Sequence, residues 1–137
     1  MKPQDNPADT LPDRLVVLHD RTLLPHLPPA GSVPVYGVIP APGLGRIMGY
    51  PWWQNLTESL MIASVFDAGS APALAASALR SGARWVVCDG KSPALDSLRD
   101  LAHRCDAHVL TSRPDAFSLG RPPYDPYRLE RLKCFLA

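Results

Sequence analysis

Leu60-Met61-Ile62-Ala63-Ser64-Val65-Phe66-Asp67-Ala68-Gly69-Ser70, then Trp85-Val86-Val87-Cys88-Asp89-Gly90-Lys91-Ser92, then Ala107-His108-Val109-Leu110-Thr111-Ser112-Arg113: three apolar runs, each closed by a polar turn, decide the fold. The second run, Trp85-Val86-Val87-Cys88, is short and continuously apolar, as expected of a strand covered on both faces. The segments between the runs read as helices. The first helix spans Ala71 to Arg80, with Ser70 placed to cap it, Pro72 suited to its first turn, and Ser81-Gly82 closing it. The second follows Ser92-Pro93, again an N-cap with proline at the first helical position. Its Leu95, Leu98, Leu101 and Ala102 recur at helical spacing as one buried stripe. Run, helix, run, helix, run is the signature of crossover connections between parallel strands. The expected fold is therefore α/β, a small Rossmann-like parallel sheet built on a βαβαβ unit over residues 60–120.

Outward from that unit the grammar changes. Ten of the sixteen prolines fall within the first 51 residues, where they remove backbone donors and shorten helices. The proline-rich half, residues 13–59, is accordingly expected to be extended and to add one or two strands. These are Arg14-Leu15-Val16-Val17-Leu18-His19 and Val33-Pro34-Val35-Tyr36-Gly37-Val38-Ile39, the second at a sheet edge because Pro34 and Gly37 weaken a central ladder. Residues 1–12 read as a flexible tail and 13–137 as a single domain. On the other side, a short helical turn through Phe117 and Leu119 is expected after Pro114. The break Arg121-Pro122-Pro123-Tyr124-Asp125-Pro126 then precedes a C-terminal helix within 121–137, whose apolar side is Tyr127, Leu129, Leu132, Phe135 and Leu136.

At 137 residues, with 46% apolar and 20% charged residues, the chain is long enough for one core and too apolar for global disorder. Fourteen Lys plus Arg against thirteen Asp plus Glu leave a net charge of +1, and so no field to gather a polyanion. Arg121, Arg128, Arg131 and Lys133 form a local basic cluster, but nucleic acid is not the expected partner. The N-terminus has no apolar segment of export-signal length and no stretch has membrane-spanning length, which reads as a cytoplasmic protein without membrane contact. Cys88, Cys105 and Cys134 are odd in number and widely spaced, and read as buried small hydrophobes.

In an open parallel sheet, ligands gather beyond the carboxyl ends of the strands, where helix N-termini present free amides. The three turns therefore nominate Asp67, Ser70, Asp89, Lys91, Ser92 and Arg113 as a site for a small anionic ligand. The cations and amides would hold a phosphate or carboxylate, and Asp67 and Asp89 a sugar hydroxyl or a metal ion. Gly90-Lys91-Ser92 is not the end of a phosphate-binding P-loop, since Trp85 stands where that motif needs glycine. Pro42-Gly43-Leu44-Gly45-Arg46-Ile47-Met48-Gly49 follows a strand as a dinucleotide loop would. Tyr50-Pro51 then stands where the helix should begin, so the run reads as a glycine-rich linker and no cofactor is implied. No nucleophile–base or metal-binding motif appears, and the four histidines are scattered. A non-enzymatic binding or assembly module is the leading expectation. Trp52 and Trp53 either cap the core or, with Arg128 and Arg131, form partner surface for another protein or a second copy. The alternative is a small-molecule or nucleotide-binding domain, regulatory or enzymatic.

The succession Val16-Val17-Leu18-His19-Asp20-Arg21, Pro42-Gly43, Asp67 with Ser70, Gly82-Ala83-Arg84-Trp85-Val86-Val87, Ala94 to Ala102, Asp115, Leu119-Gly120 and Tyr124 resembles a small family of integrating conjugative element proteins. That resemblance covers residues 15 to 129 and implies an accessory part of a mobile-element or conjugative transfer apparatus. Residues 62–120 are also similar to the DRTGG domain and the N-terminal domain of HPr kinase, through Val87, Ser92-Pro93, Leu110-Thr111 and Asp115. This second likeness implies a regulatory or oligomerising module without catalytic residues of its own.

Overall fold

The computed structural model describes residues 11–91 and 93–137. Five parallel strands form one sheet in chain order: β1 (Arg14–Leu18), β2 (Tyr36–Pro40), β3 (Ala63–Asp67), β4 (Trp85–Val87) and β5 (His108–Leu110). The helices are α1 (Leu44–Met48), α2 (Tyr50–Thr57), α3 (Pro72–Arg80), α4 (Leu95–Arg104) and α5 (Pro126–Leu136), and a 3-10 turn, Arg21–His26, follows β1. The α/β reading is thus correct, and the proline-rich half supplies two strands. Among the described residues no helix is long and apolar enough to cross a membrane.

When parallel strands follow one another in chain order, right-handed crossovers all rise on the same face. The packing has this form. Val16, Leu18, Val38, Phe66, Val86 and Cys88 share one core cluster with Trp53 and Leu56 of α2, Ala75, Ala78 and Leu79 of α3, Leu98 and Ala102 of α4, and Leu132 and Leu136 of α5. The alternate strand residues Leu15, Val17, Ile39, Val65, Trp85 and Val87 form a second cluster on the other face, with Leu11, Leu44, Leu110 and Ala116 beside it. Leu11 is therefore anchored, and so is the buried Pro12, inside the stretch read as a tail; the first ten residues and Ser92 lie outside the described residues.

Beyond β5 the chain returns across the sheet. Phe117 pairs in parallel with β1: its amide donates to the Leu15 carbonyl (2.8 Å) and its carbonyl accepts from Val17 N–H (2.9 Å). From β5 to the far side of β1 is five strand spacings, about 24 Å, and the seven steps from Leu110 to Phe117 reach about 24 Å only when extended. No slack remains for a helical turn, which is why the one expected after Pro114 is absent.

Two further expectations fail once the neighbouring elements are in place. Strand β2 is internal, between β1 and β3, not at an edge. Pro34 lies before the strand, and Gly37 is there because β3 comes so close: a Cβ at Gly37 would sit 2.7 Å from the Ala63 carbonyl oxygen. The run Pro42–Gly49 is likewise no linker. Gly43 (φ 79°) and Gly49 (φ 87°) take conformations open to glycine and bracket α1, while Pro51 sits in the first turn of α2, where its missing N–H is not needed.

Alanine normally suits a strand better than glycine. Gly37→Ala is nonetheless expected to lower unfolding free energy by about 1–3 kcal/mol through overpacking. Urea denaturation checks this: the midpoint should fall with an unchanged slope, and a raised midpoint would show that β2 and β3 are not this close.

Candidate functional site

The three nominated turns do meet along one edge, because the ladder continues past the strands. Ala68 N–H donates to the Val87 carbonyl, Asp89 N–H to Gly69, Cys88 N–H to Leu110 and Gly90 N–H to Thr111, all within 2.8–3.0 Å. Their side chains, however, mainly hold one another. Asp67, 7% exposed, accepts from Gly69 N–H through Oδ1 and from Arg113 Nη1 through Oδ2, both at 2.8 Å. That ion pair ties the extended return of the chain to the end of β3. Arg113 Nη2 is buried without a hydrogen-bond partner.

Ser70 does not cap α3. The N-cap is Ala71, with no side-chain bond, and Ser70 Oγ instead accepts from Arg46 Nη1 (3.2 Å). Asp89 Oδ1 accepts from Lys91 N–H (3.0 Å), closing its own turn, and Lys91 is exposed. Pro93 precedes α4, which begins at Leu95 after the N-cap Ala94. Ser92, the remaining nominee, falls outside the described residues.

The proposed partner surface divides. Trp53 is 1% exposed and belongs to the core, out of a partner's reach, and its neighbour Trp52 packs partly against the same cluster. Arg128 is engaged inward, its Nη1 donating to the carbonyls of Arg121 (3.1 Å) and Pro123 (3.2 Å). Arg131 is exposed and covers the Phe117 ring at 5.4 Å. Tyr127, expected on the inner side of α5, is 72% exposed. Cys134, expected inside, is exposed, and only Cys88 of the three cysteines is fully buried.

A groove of about 600 Å³ lies elsewhere on the carboxyl edge, over the ends of three parallel neighbours: Phe117, β1 and β2. His19 and Asp20 follow β1, Ala41 and Pro42 follow β2, Leu44 and Ile47 come from α1, and Arg121 and Pro122 come from the strap after Phe117. Asp20 caps the 3-10 turn by accepting from Thr22 N–H (2.8 Å), and its hydrogen bonding to Thr22 holds its carboxyl below the usual carboxylate range. Burial first, then the nearby Arg121 charge, lower the pKa of His19, against a smaller opposing pull from Asp20. His19 Nδ1 is buried without a hydrogen-bond partner. The strap is fixed from behind by Arg128, and Tyr124 O–H donates to the Gly120 carbonyl (3.1 Å). At its far end Asp125 caps α5 by accepting from Arg128 N–H (2.8 Å).

Sequence reasoning missed His19, Asp20 and Arg121 as a group. The carboxyl-end rule applied to Leu15-Val16-Val17-Leu18 would have flagged His19-Asp20. Nothing local placed Arg121 beside them, since only the return of Phe117 to β1 does so. Among the described residues no group of His, Cys, Asp and Glu is arranged to hold a metal ion. No protein-family model, curated protein or solved structure matches the chain.

Two outcomes follow for stability. In a double-mutant cycle of Asp67→Asn and Arg113→Gln, read by chemical denaturation, the coupling should be about 1–2 kcal/mol. This lies below the value for a fully buried pair, because the Arg113 side chain is 23% exposed. For His19 the folded state binds its proton less readily than the unfolded chain does. Its contribution to stability is therefore present above the unfolded value near 6.5 and lost as pH falls through the lower folded value. His19→Gln should flatten the loss of stability on acidification below pH 6.5, seen as a smaller drop in Tm, and an unchanged slope would contradict the burial of this imidazole.

Proposed function

We propose that this chain is a non-enzymatic binding module whose ligand occupies the groove over the carboxyl ends of β1 and β2. One observation carries the reading. A groove of about 600 Å³, within the size range of small-molecule sites, combines the apolar Ala41, Leu44 and Ile47 with His19, Asp20 and Arg121. Apolar walls supply affinity there, and a few fixed polar groups set orientation. The groups best placed for chemistry are otherwise committed. Asp67 is paired to Arg113, and burial pushes the Cys88 thiol up, away from thiolate reactivity, with Asp89 and Asp67 adding to the shift.

The resemblance to conjugative element proteins supports a role as an accessory component of a transfer system, and three free cysteines favour a reducing, cytoplasmic setting. Assembly with a protein partner or a second copy is the second reading. It is favoured by the exposed Tyr127 above a groove of about 530 Å³ on α5 that Phe117 and Phe135 also line.

Ile47 is 80% exposed, so Ile47→Glu should leave Tm within about 1 °C while altering the groove. In an NMR-detected fragment screen, hits should shift the amides of His19, Leu44 and Ile47 in the natural protein and weaken at least about fivefold in the variant, a loss of roughly 1 kcal/mol. Hits that ignore the groove would overturn the reading. Light scattering of the same samples addresses assembly: a mass above that of one chain supports the second reading.

A further inference from the structure

We infer that the groove's ligand is zwitterionic with an apolar body, in chemical class an α-amino acid with a large apolar side chain. This deepens the binding reading and rests on it. Two opposite charges reach the groove from different walls, Asp20 from the loop after β1 and Arg121 from the strap. Both line the groove together with His19, which Asp20 follows directly in the chain. Asp20 is held by Thr22, whose N–H donates to Oδ1 at 2.8 Å and whose side chain also hydrogen-bonds the carboxylate, which stays ionised. The Arg121 guanidinium makes no hydrogen bond with a described residue, while its carbonyl is held by Arg128. A carboxylate fixed by its neighbour and a guanidinium on an anchored strap thus bring opposite charges to the groove.

Charge arithmetic selects the ligand. A simple carboxylate gains from Arg121 and loses to Asp20, while a simple amine gains and loses in the opposite order. Only a ligand carrying both charges side by side gains from each. His19, neutral at physiological pH, does not upset the balance and leaves a ring nitrogen as a neutral hydrogen-bonding group. The rest of the lining, Ala41, Pro42, Leu44, Ile47 and Pro122, is apolar and suits a branched or aromatic side chain rather than a polar one.

Three probes of matched shape separate the charges: leucine, 4-methylpentanoate, which lacks the ammonium, and isoamylamine, which lacks the carboxylate. In amide-detected NMR titrations, leucine should shift His19, Asp20, Leu44 and Ile47 and bind at least about tenfold more tightly than either analogue. Asp20→Asn, which keeps the capping oxygen, and Arg121→Gln should each bring leucine down to the level of the singly charged probes. An analogue that binds as tightly as leucine, or leucine binding indifferent to both variants, overturns the zwitterion assignment while leaving the groove a binding site. The same follows if fragments occupy the groove and leucine does not. If neither leucine nor any fragment shifts the groove, the binding reading itself falls.

Discussion

Every other feature of this molecule follows from one constraint: five parallel strands laid down in chain order. Each crossover then has to climb over the same face, so α2, α3 and α4 accumulate there in one core with Val16, Val38, Phe66 and Val86. A sheet wound in one direction lacks the reversal of strand order at which α/β proteins usually open a ligand crevice. Here the chain makes its own reversal by crossing back from β5 to β1 in an almost fully extended run. The Asp67–Arg113 pair fastens that run partway, and Phe117 docks its end. The groove lies beside this reversal, over the ends of Phe117, β1 and β2, and not at the centre of the βαβαβ unit.

The same constraint explains which side chains are spent on structure. Asp67, Asp89 and Ser70 have the residue types and the location of a ligand site, yet each engages a neighbour: Arg113, the Lys91 amide, or Arg46. Turns that meet at one rim must satisfy their own backbone and compensate their own charges before they hold anything else. Arg121 differs: Asp20 is engaged by Thr22 much as Asp89 is by the Lys91 amide, but Arg128 holds the strap by its carbonyls and leaves the Arg121 side chain to line the groove with His19.

Much of the fold was legible because its signals are local. All five strands lie within or overlap the apolar runs, and α3 ends at Ser81-Gly82 as the glycine suggests. The misreadings came from residues whose meaning is set across the sheet. Gly37 looks like a ladder weakener until the Ala63 carbonyl is seen against it, and Gly43 and Gly49 look like linker residues until α1 is seen between them. The site was less legible for the same reason. Its rim could be located from strand ends, but Arg121 reaches His19 only through a pairing about a hundred residues apart in the chain. Trp53 shows the converse: beside Trp52 in sequence it suggests a sticky surface, and in the fold it is core.

The return of Phe117 to the flank of β1 also bears on the order of assembly. Each crossover joins strands that are consecutive in the chain, whereas the Phe117 bridge closes a loop spanning nearly the whole domain and meets a larger entropic barrier. The strap wall of the groove is thus completed after the sheet that supports it. A nascent chain interrupted short of that segment would hold α2, α3 and α4 on the sheet, but would lack Leu119, Leu132 and Leu136 of the core and leave the outer flank of β1 unpaired and open to another strand.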